Sequence, residues 1–202
     1  MATPRTSTTR RKIVKAAFET LRHRGFAESS ARNIAARGRF NQALIFYHFG
    51  SVEDLLIAAL DYSAEARLAR YKQSFVGVEA LPELVRVAKE LYAEDVRSGH
   101  VRVLAQLVAA GAGSTQLGRK VAARVEPWLA LTRESIDRVL PASPLATLVP
   151  AEDLAFALTS LYLGMQLMLN LDGDITRAER LFDGAARIAG FAATFIPSSP
   201  LS

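Results

Sequence analysis

Hydrophobic positions recur at intervals of three and four through most of this chain, the period of helices that bury one face. Residues 9–24 put Ile13, Ala16, Ala17 and Leu21 on one stripe and Arg10, Arg11, Lys15 and Arg22 off it, with Gly25 where a C′ glycine would stop the helix. Before it, residues 1–8 form a Thr/Ser/Arg tail without periodicity. From Ser30 the pattern predicts two short helices and a tight corner. Ser30 caps a helix carrying Ile34 and Ala35, the chain breaks at Arg37-Gly38-Arg39, and Asn41 caps the second helix. Ile45 and Phe49, four apart, face inward with Phe40 and Ile34, Phe26 drops into the core beneath, and Gln42, Leu44 and Tyr47 are left on other faces. Gly50 and Ser51 then open a long helix to about Ser74, with Glu53 and Asp54 in the first turn, where the helix dipole favours negative charge.

The rest is helical wherever it can be read. Residues 81–98 bury Leu84, Val87, Ala88, Leu91 and Val96, with Pro82 in the first turn and Gly99 just past the end. A short apolar helix covers 101–110. The next, 114–140, contains Pro127, which should kink or break it near Glu126. Residues 141–150 hold three prolines and read as a loop. The 18 residues 154–171 carry no charge and reach the lower edge of membrane-span length. Glu152, Asp153 and Asp172 at the ends and Thr159, Ser160, Gln166 and Asn170 within favour burial between a ligand cavity and a partner subunit, with no membrane. A last helix, 175–196, follows Asp174 as cap and aligns Leu181, Ala185, Ile188, Ala192 and Phe195 with small Gly184, Ala189 and Gly190. The fold class expected is all-α.

Composition narrows the chemistry. With 202 residues, half of them hydrophobic, there is ample core material, and the absence of cysteine removes disulfides, zinc fingers and thiol catalysis together. No metal or cofactor is expected. The N-terminus has no apolar run of signal-peptide length before the basic helix, so a cytoplasmic protein is expected. Charge is uneven: residues 1–50 hold ten Lys/Arg against Glu19 and Glu28, a net +8, while the remainder has 15 against 18, a net −3. A basic front end on a mildly acidic body is the footprint of a head that binds nucleic acid. A basic two-helix unit that shows amides and an aromatic hydroxyl outward suits the major groove of DNA.

The ordered run Ile13-Val14 with Ala16-Ala17, Gly25-Phe26, Ser30, Ile34-Ala35, Phe40-Asn41, Ile45-Phe46-Tyr47-His48-Phe49 and Ser51 with Glu53 and Leu55 resembles the N-terminal domain of the TetR family of bacterial repressors. The resemblance covers about residues 9–57. It implies a helix-turn-helix head, residues 1–50, and a ligand-binding and dimerisation domain, residues 51–202. It further implies a homodimer through the last two helices, about 151–171 and 175–196, that binds operator DNA and a small-molecule effector. The chain departs from the family pattern where Arg39 stands for Gly, Asn41 for Ser, Ala43 for Gly or Thr, Phe46 for Tyr and Val52 for Lys. Phe46 and Val52 therefore lack groups the family offers to phosphates, and Arg37, Arg39, Tyr47 and His48 are the local substitutes.

Side-chain chemistry distributes the expected DNA contacts. Gln42, and Asn41 where its cap role leaves the amide free, match the donor–acceptor pair of adenine, and Leu44 can touch a thymine methyl. Lys15, Arg32, Arg39, Tyr47 and His48 suit phosphates, as do the free N–H groups behind Ser30. Ala43 and Phe46 complete the DNA-facing set. For the effector, Tyr92, Gln106, Trp128, Tyr162, Met165 and Gln166 supply the aromatic, polarizable and polar-tipped mixture that lines small-molecule pockets. Two other classes fit less well. An enzyme has little to build on, since His23, His48 and His100 are scattered and no nucleophile or carboxylate stands at a matching spacing near His48; Gly113 and Gly118 mimic a phosphate-binding loop, but Arg119-Lys120-Val121 replaces its Lys and Ser/Thr. A DNA-binding protein without an effector keeps the head and drops the ligand.

Overall fold

The computed structural model describes residues 4–141 and 149–194. Among them the regular structure is helical. The elements are α1 (Pro4–Arg24), α2 (Ala31–Gly38), α3 (Ala43–Phe49), α4 (Val52–Ser74), α5 (Leu81–Ser98), α6 (His100–Gly111), α7 (Thr115–Val139), α8 (Ala151–Asp172) and α9 (Thr176–Thr194). They fall into two compact units, one of Met1–Arg67 with Ser98–Arg124, the other of Leu68–Arg97 with Val125–Ser202. Helices α4 and α7 each give their first part to the first unit and the rest to the second.

In the first unit α1 packs on α2 and α6. It starts at Pro4, earlier than the tail-like composition suggests, because proline is tolerated in a first turn, where its missing N–H has no helical partner to lose. Ile13, Ala17, Leu21, Ile34 and Ile45, all predicted to face inward in the head, are fully buried, and so are Leu55 and Ala59 of α4. Phe26, Phe40 and Phe49 are only half-buried. Gly25 ends α1 with φ +84° and its amide bonded to the Leu21 carbonyl at 3.0 Å. Gly118 has a packing role rather than a phosphate one: a Cβ there would stand 2.8 Å from the Gly111 carbonyl oxygen, so glycine lets the start of α7 approach the end of α6.

In the second unit the core gathers Tyr71, Phe75, Val78, Leu84, Val87, Leu91, Leu131 and Val139, with Trp128 packed against it. Of the kink or break expected at Pro127, the break does not occur: helix α7 runs continuously through it. Pro127 and Ala123, whose carbonyl loses its donor, both lie on the exposed face, so water can satisfy that carbonyl. Asp174 caps α9 as predicted, accepting from the Thr176 amide at 3.0 Å. Phe195, Ile196 and most of the proline-rich loop lie outside the described residues.

The burial expected for 154–171 includes a partner subunit, and one chain by itself leaves most of this helix uncovered. Only Ala155 and Gln166 of α8 are buried, while Phe156, Leu158, Leu161, Met168 and Leu171 are exposed. Among the described residues α8 is the one helix long and apolar enough to cross a membrane. Leu181, Ile188 and Phe191 of α9 are exposed too.

Candidate functional site

The corner between α2 and α3 is built by local chemistry. Ser30 has extended backbone and its hydroxyl accepts from the Asn33 amide at 3.3 Å, which is the N-cap geometry read from the sequence. At the other end Arg39, not Gly38, is left-handed, with φ 52° and ψ 57°. Its amide and that of Phe40 close the helix on the carbonyls of Ala36, at 3.3 Å, and Ala35, at 3.1 Å. Gly38 is helical and serves by leaving space: a Cβ there would sit 2.1 Å from Phe40 Cε1 and 2.9 Å from Ala16 Cβ. The Phe40 ring folds back into that gap, next to α1.

Asn41 caps α3 with its side chain. Its Oδ1 accepts from the Ala43 amide at 2.8 Å, and Gln42 already has helical dihedrals, φ −57° and ψ −25°. The Asn41 carbonyl oxygen is therefore committed to the cap, while its NH₂ remains available. Gln42, Ala43, Phe46 and Tyr47 are exposed, Tyr47 to 79%. Leu44 and His48 are half-buried. The Tyr47 and His48 rings meet edge-on at 4.9 Å. Lys15 on α1, Arg32 and Arg37 on α2 and Arg39 at the corner are exposed, and among the described residues none of the four is engaged in an ion pair. Arg10 is placed differently, with its guanidinium 4.8 Å above the Phe49 ring. A short helix with a mixed amide and aromatic outer face, in a head that also exposes unpaired cations, has the chemistry to enter a groove while cations hold phosphates.

Behind α3, Gly50 with φ +78° turns the chain into α4. Ser51 caps α4: its hydroxyl accepts from the Asp54 amide at 3.0 Å and donates to the Asp54 carboxylate at 2.6 Å. Lys120 of α7 reaches the same carboxylate at 2.5 Å, and Arg124, one turn on, grips Asp61 with two bonds of 3.1 Å. The hydrogen bond from Lys120, then that from Ser51, hold the Asp54 carboxyl below the usual range.

The residues proposed to line an effector site fall in both units. Gln106 lies in the first unit, with its Oε1 3.1 Å from where a Gly25 Cβ would be. Tyr92, Trp128, Tyr162, Met165 and Gln166 belong to the second unit. Tyr71 and Asp95, in the same unit, escaped the sequence reading. Asp95 is buried on α5 and accepts from the hydroxyls of Tyr71 and Tyr162. Burial above all, then the proximity of Tyr71 and Asp95, pushes the Tyr162 hydroxyl well above its ordinary pKa, so it stays a neutral donor. The signal was present: the stripe Leu84, Val87, Leu91, continued by one turn, lands on Asp95.

Residues 13–59 match the family model for bacterial regulatory proteins, tetR family. Over 50 residues the chain is 44% identical to an HTH-type transcriptional repressor of Mycobacterium tuberculosis and, equally, to an HTH-type transcriptional regulator of Mycobacterium bovis. That stretch is 25% of this chain and 27% of the length of those relatives. The fold of the whole chain is similar to a TetR-family regulator from Cytophaga hutchinsonii, with TM-score 0.74, 14% identity and coverage of 95% of this chain and 98% of that one. It is also similar to the multidrug binding protein EbrR complexed with imidazole, with TM-score 0.63, 25% identity and coverage of 98% and 96%.

Proposed function

We propose that this chain, whose residues 13–59 are a tetR-family head and whose helices follow that family's fold, is a dimeric transcriptional regulator, a repressor released from operator DNA by a small molecule. The observation that supports this is the short helix α3 behind the corner at Arg39, where Gln42, Ala43, Phe46 and Tyr47 are exposed, in a head where Lys15, Arg32, Arg37 and Arg39 are exposed as well. We divide the function at residue 50, with DNA recognition before it and effector binding and dimerisation after it. The exposed apolar faces of α8 and α9 support a two-fold partner. Such a dimer sets two copies of α3 roughly 34 Å apart on a palindromic site. An effector then acts only through its different affinity for dimers whose heads are spaced for DNA and those whose heads are not. A role on the chromosome places the protein in the cytoplasm.

The test separates base reading from phosphate holding. Gln42→Ala is expected to relax base preference at one position of each half-site, a loss of about 1–3 kcal/mol of discrimination. Lys15→Ala is expected to weaken binding to every sequence and to flatten its dependence on salt. Binding of both variants to selected genomic fragments and to random duplex, at several salt concentrations, checks this. Equal losses by Gln42→Ala on both duplexes would overturn the assignment of α3.

A further inference from the structure

Apolar surface on the outer face of α3 decides what that face can read. Gln42 already has helical dihedrals, and with Ala43, Phe46 and Tyr47 it is exposed; spacings of three and four make these four side chains neighbours on one side of the helix. Ile45 is fully buried, and Leu44, the side chain the sequence offers to a thymine methyl, is half-buried. Two of the four exposed side chains, Ala43 and Phe46, have no atom that can make a hydrogen bond. Phe46 is 51% exposed, and among the described residues no ring or cation packs on it. It differs in this from Phe49, three residues on, whose ring lies beneath the Arg10 guanidinium.

We propose that Phe46, with Ala43 beside it, reads the C5-methyl group of thymine in the major groove, an inference that rests on α3 being the helix that meets DNA. The head carries a net +8 over residues 1–50, with Lys15, Arg32, Arg37 and Arg39 exposed, so a polyanion is the partner its charge selects. A phosphate gains nothing from a phenyl ring, which has no donor for its oxygens. Among the groups that base edges show in the major groove, the thymine methyl is the apolar one. Against a carbonyl, a ring nitrogen or an amino group the Phe46 ring would displace water without replacing its hydrogen bond. Against a methyl it displaces none that is bonded, and both partners bury apolar area. Gln42 and Phe46 stand four apart, so the amide that suits adenine and the ring that suits thymine are adjacent. Such a pair favours A·T base pairs in the half-site.

Uracil in place of thymine removes that methyl and keeps the base pair, so it isolates the contact. Each thymine of a selected genomic fragment is replaced singly, and binding of the full chain is measured at one fixed salt concentration. At a symmetry-related pair of thymines, one in each half-site, each replacement is expected to lower affinity about fourfold, the worth of one buried methyl. Phe46→Ala is expected to bind the thymine and uracil fragments alike at those positions. Phe46→Leu, which keeps an apolar side chain, is expected to retain part of the preference. Circular dichroism checks that both variants fold, and the scan with the unaltered protein tests the contact without them. No thymine with such a loss, or a loss that persists in full in folded Phe46→Ala, would overturn the proposal. Random duplex measured in parallel keeps the two readings apart. A protein that prefers the selected fragments to random duplex yet ignores every uracil refutes the methyl contact and spares the regulator. One that binds both duplexes equally refutes the regulator, and the methyl contact with it.

Discussion

Arg39 holds a backbone conformation that costs an L-residue about 1–2 kcal/mol, and it does so beside a glycine that does not use its own freedom. The corner needs a left-handed residue to close α2, while Gly38 is needed as empty space for the Phe40 ring. A strained residue at an exposed corner fits the phosphate contact proposed for the Arg39 guanidinium. Arg39→Gly is therefore expected to raise stability by about 1 kcal/mol in urea unfolding while weakening DNA binding, with the salt slope reduced by about one. Unchanged binding at every salt concentration would remove Arg39 from the interface. Gly38→Ala is the converse, expected to cost about 1–3 kcal/mol because the Phe40 ring must move. The break at residues 37–39 is legible in the sequence; which of the three turns left-handed is not. Glycine has two uses, positive φ and close approach, and only the position of Phe40 decides between them.

At the scale of elements, helix ends are the most legible feature. Gly25, Ser30, Gly50 with Ser51, Gly99 and Asp174 each mark a boundary through their own backbone preference or capping bond. What joins one helix to another is less visible. Ser51 and Asp54 read as a cap, but Lys120 and Arg124, which clamp α4 from α7, lie more than sixty residues further along. Asp95 was hidden for a related reason, since one acidic residue on an apolar stripe acquires meaning only from Tyr71 and Tyr162 on other helices. The clamp has a pH signature. Asp54 titrates below its ordinary 3.8 in the folded chain, so its contribution is complete above that pH and disappears as pH falls through the lowered value. Its side chain is 45% exposed, so screening keeps the effect small, about 2 °C or less in Tm. Asp54→Asn is expected to remove this part of the acid sensitivity. Lys120→Met is expected to remove only some of it, because the Ser51 bond survives. Melting curves between neutral pH and pH about 3 distinguish the two, and an Asp54→Asn profile identical to wild type would show that the clamp contributes nothing.

The largest scale concerns what one copy leaves uncovered. Leu161 and Met168, exposed on α8, are spaced seven apart, as are Leu181 and Ile188 on α9. Gly164 and Gly190, on the same two helices, have no atom of a neighbouring side chain or element among the described residues within 4 Å of where a Cβ would be, so none of those residues requires glycine there. Apolar area of this kind stabilises whatever covers it by about 25 cal/mol per Å², and a specific interface needs roughly 1,000 Å² in all. Two coverings compete for it. A second copy would pair α8 and α9 with their symmetry mates; a bilayer would take α8 alone and leave the α9 face in water. A single charge on either helix decides between them. Leu161→Glu and Ile188→Glu are each expected to convert a micromolar dimer to monomer in sedimentation equilibrium, with helicity retained. Each is also expected to reduce affinity for a two-half-site operator far more than for a single half-site, because only the dimer engages both at once. If Leu161→Glu alone changed behaviour, and did so by releasing the protein from vesicles rather than by splitting a dimer, α8 would be a membrane helix. The two-fold arrangement of heads would then lose its support.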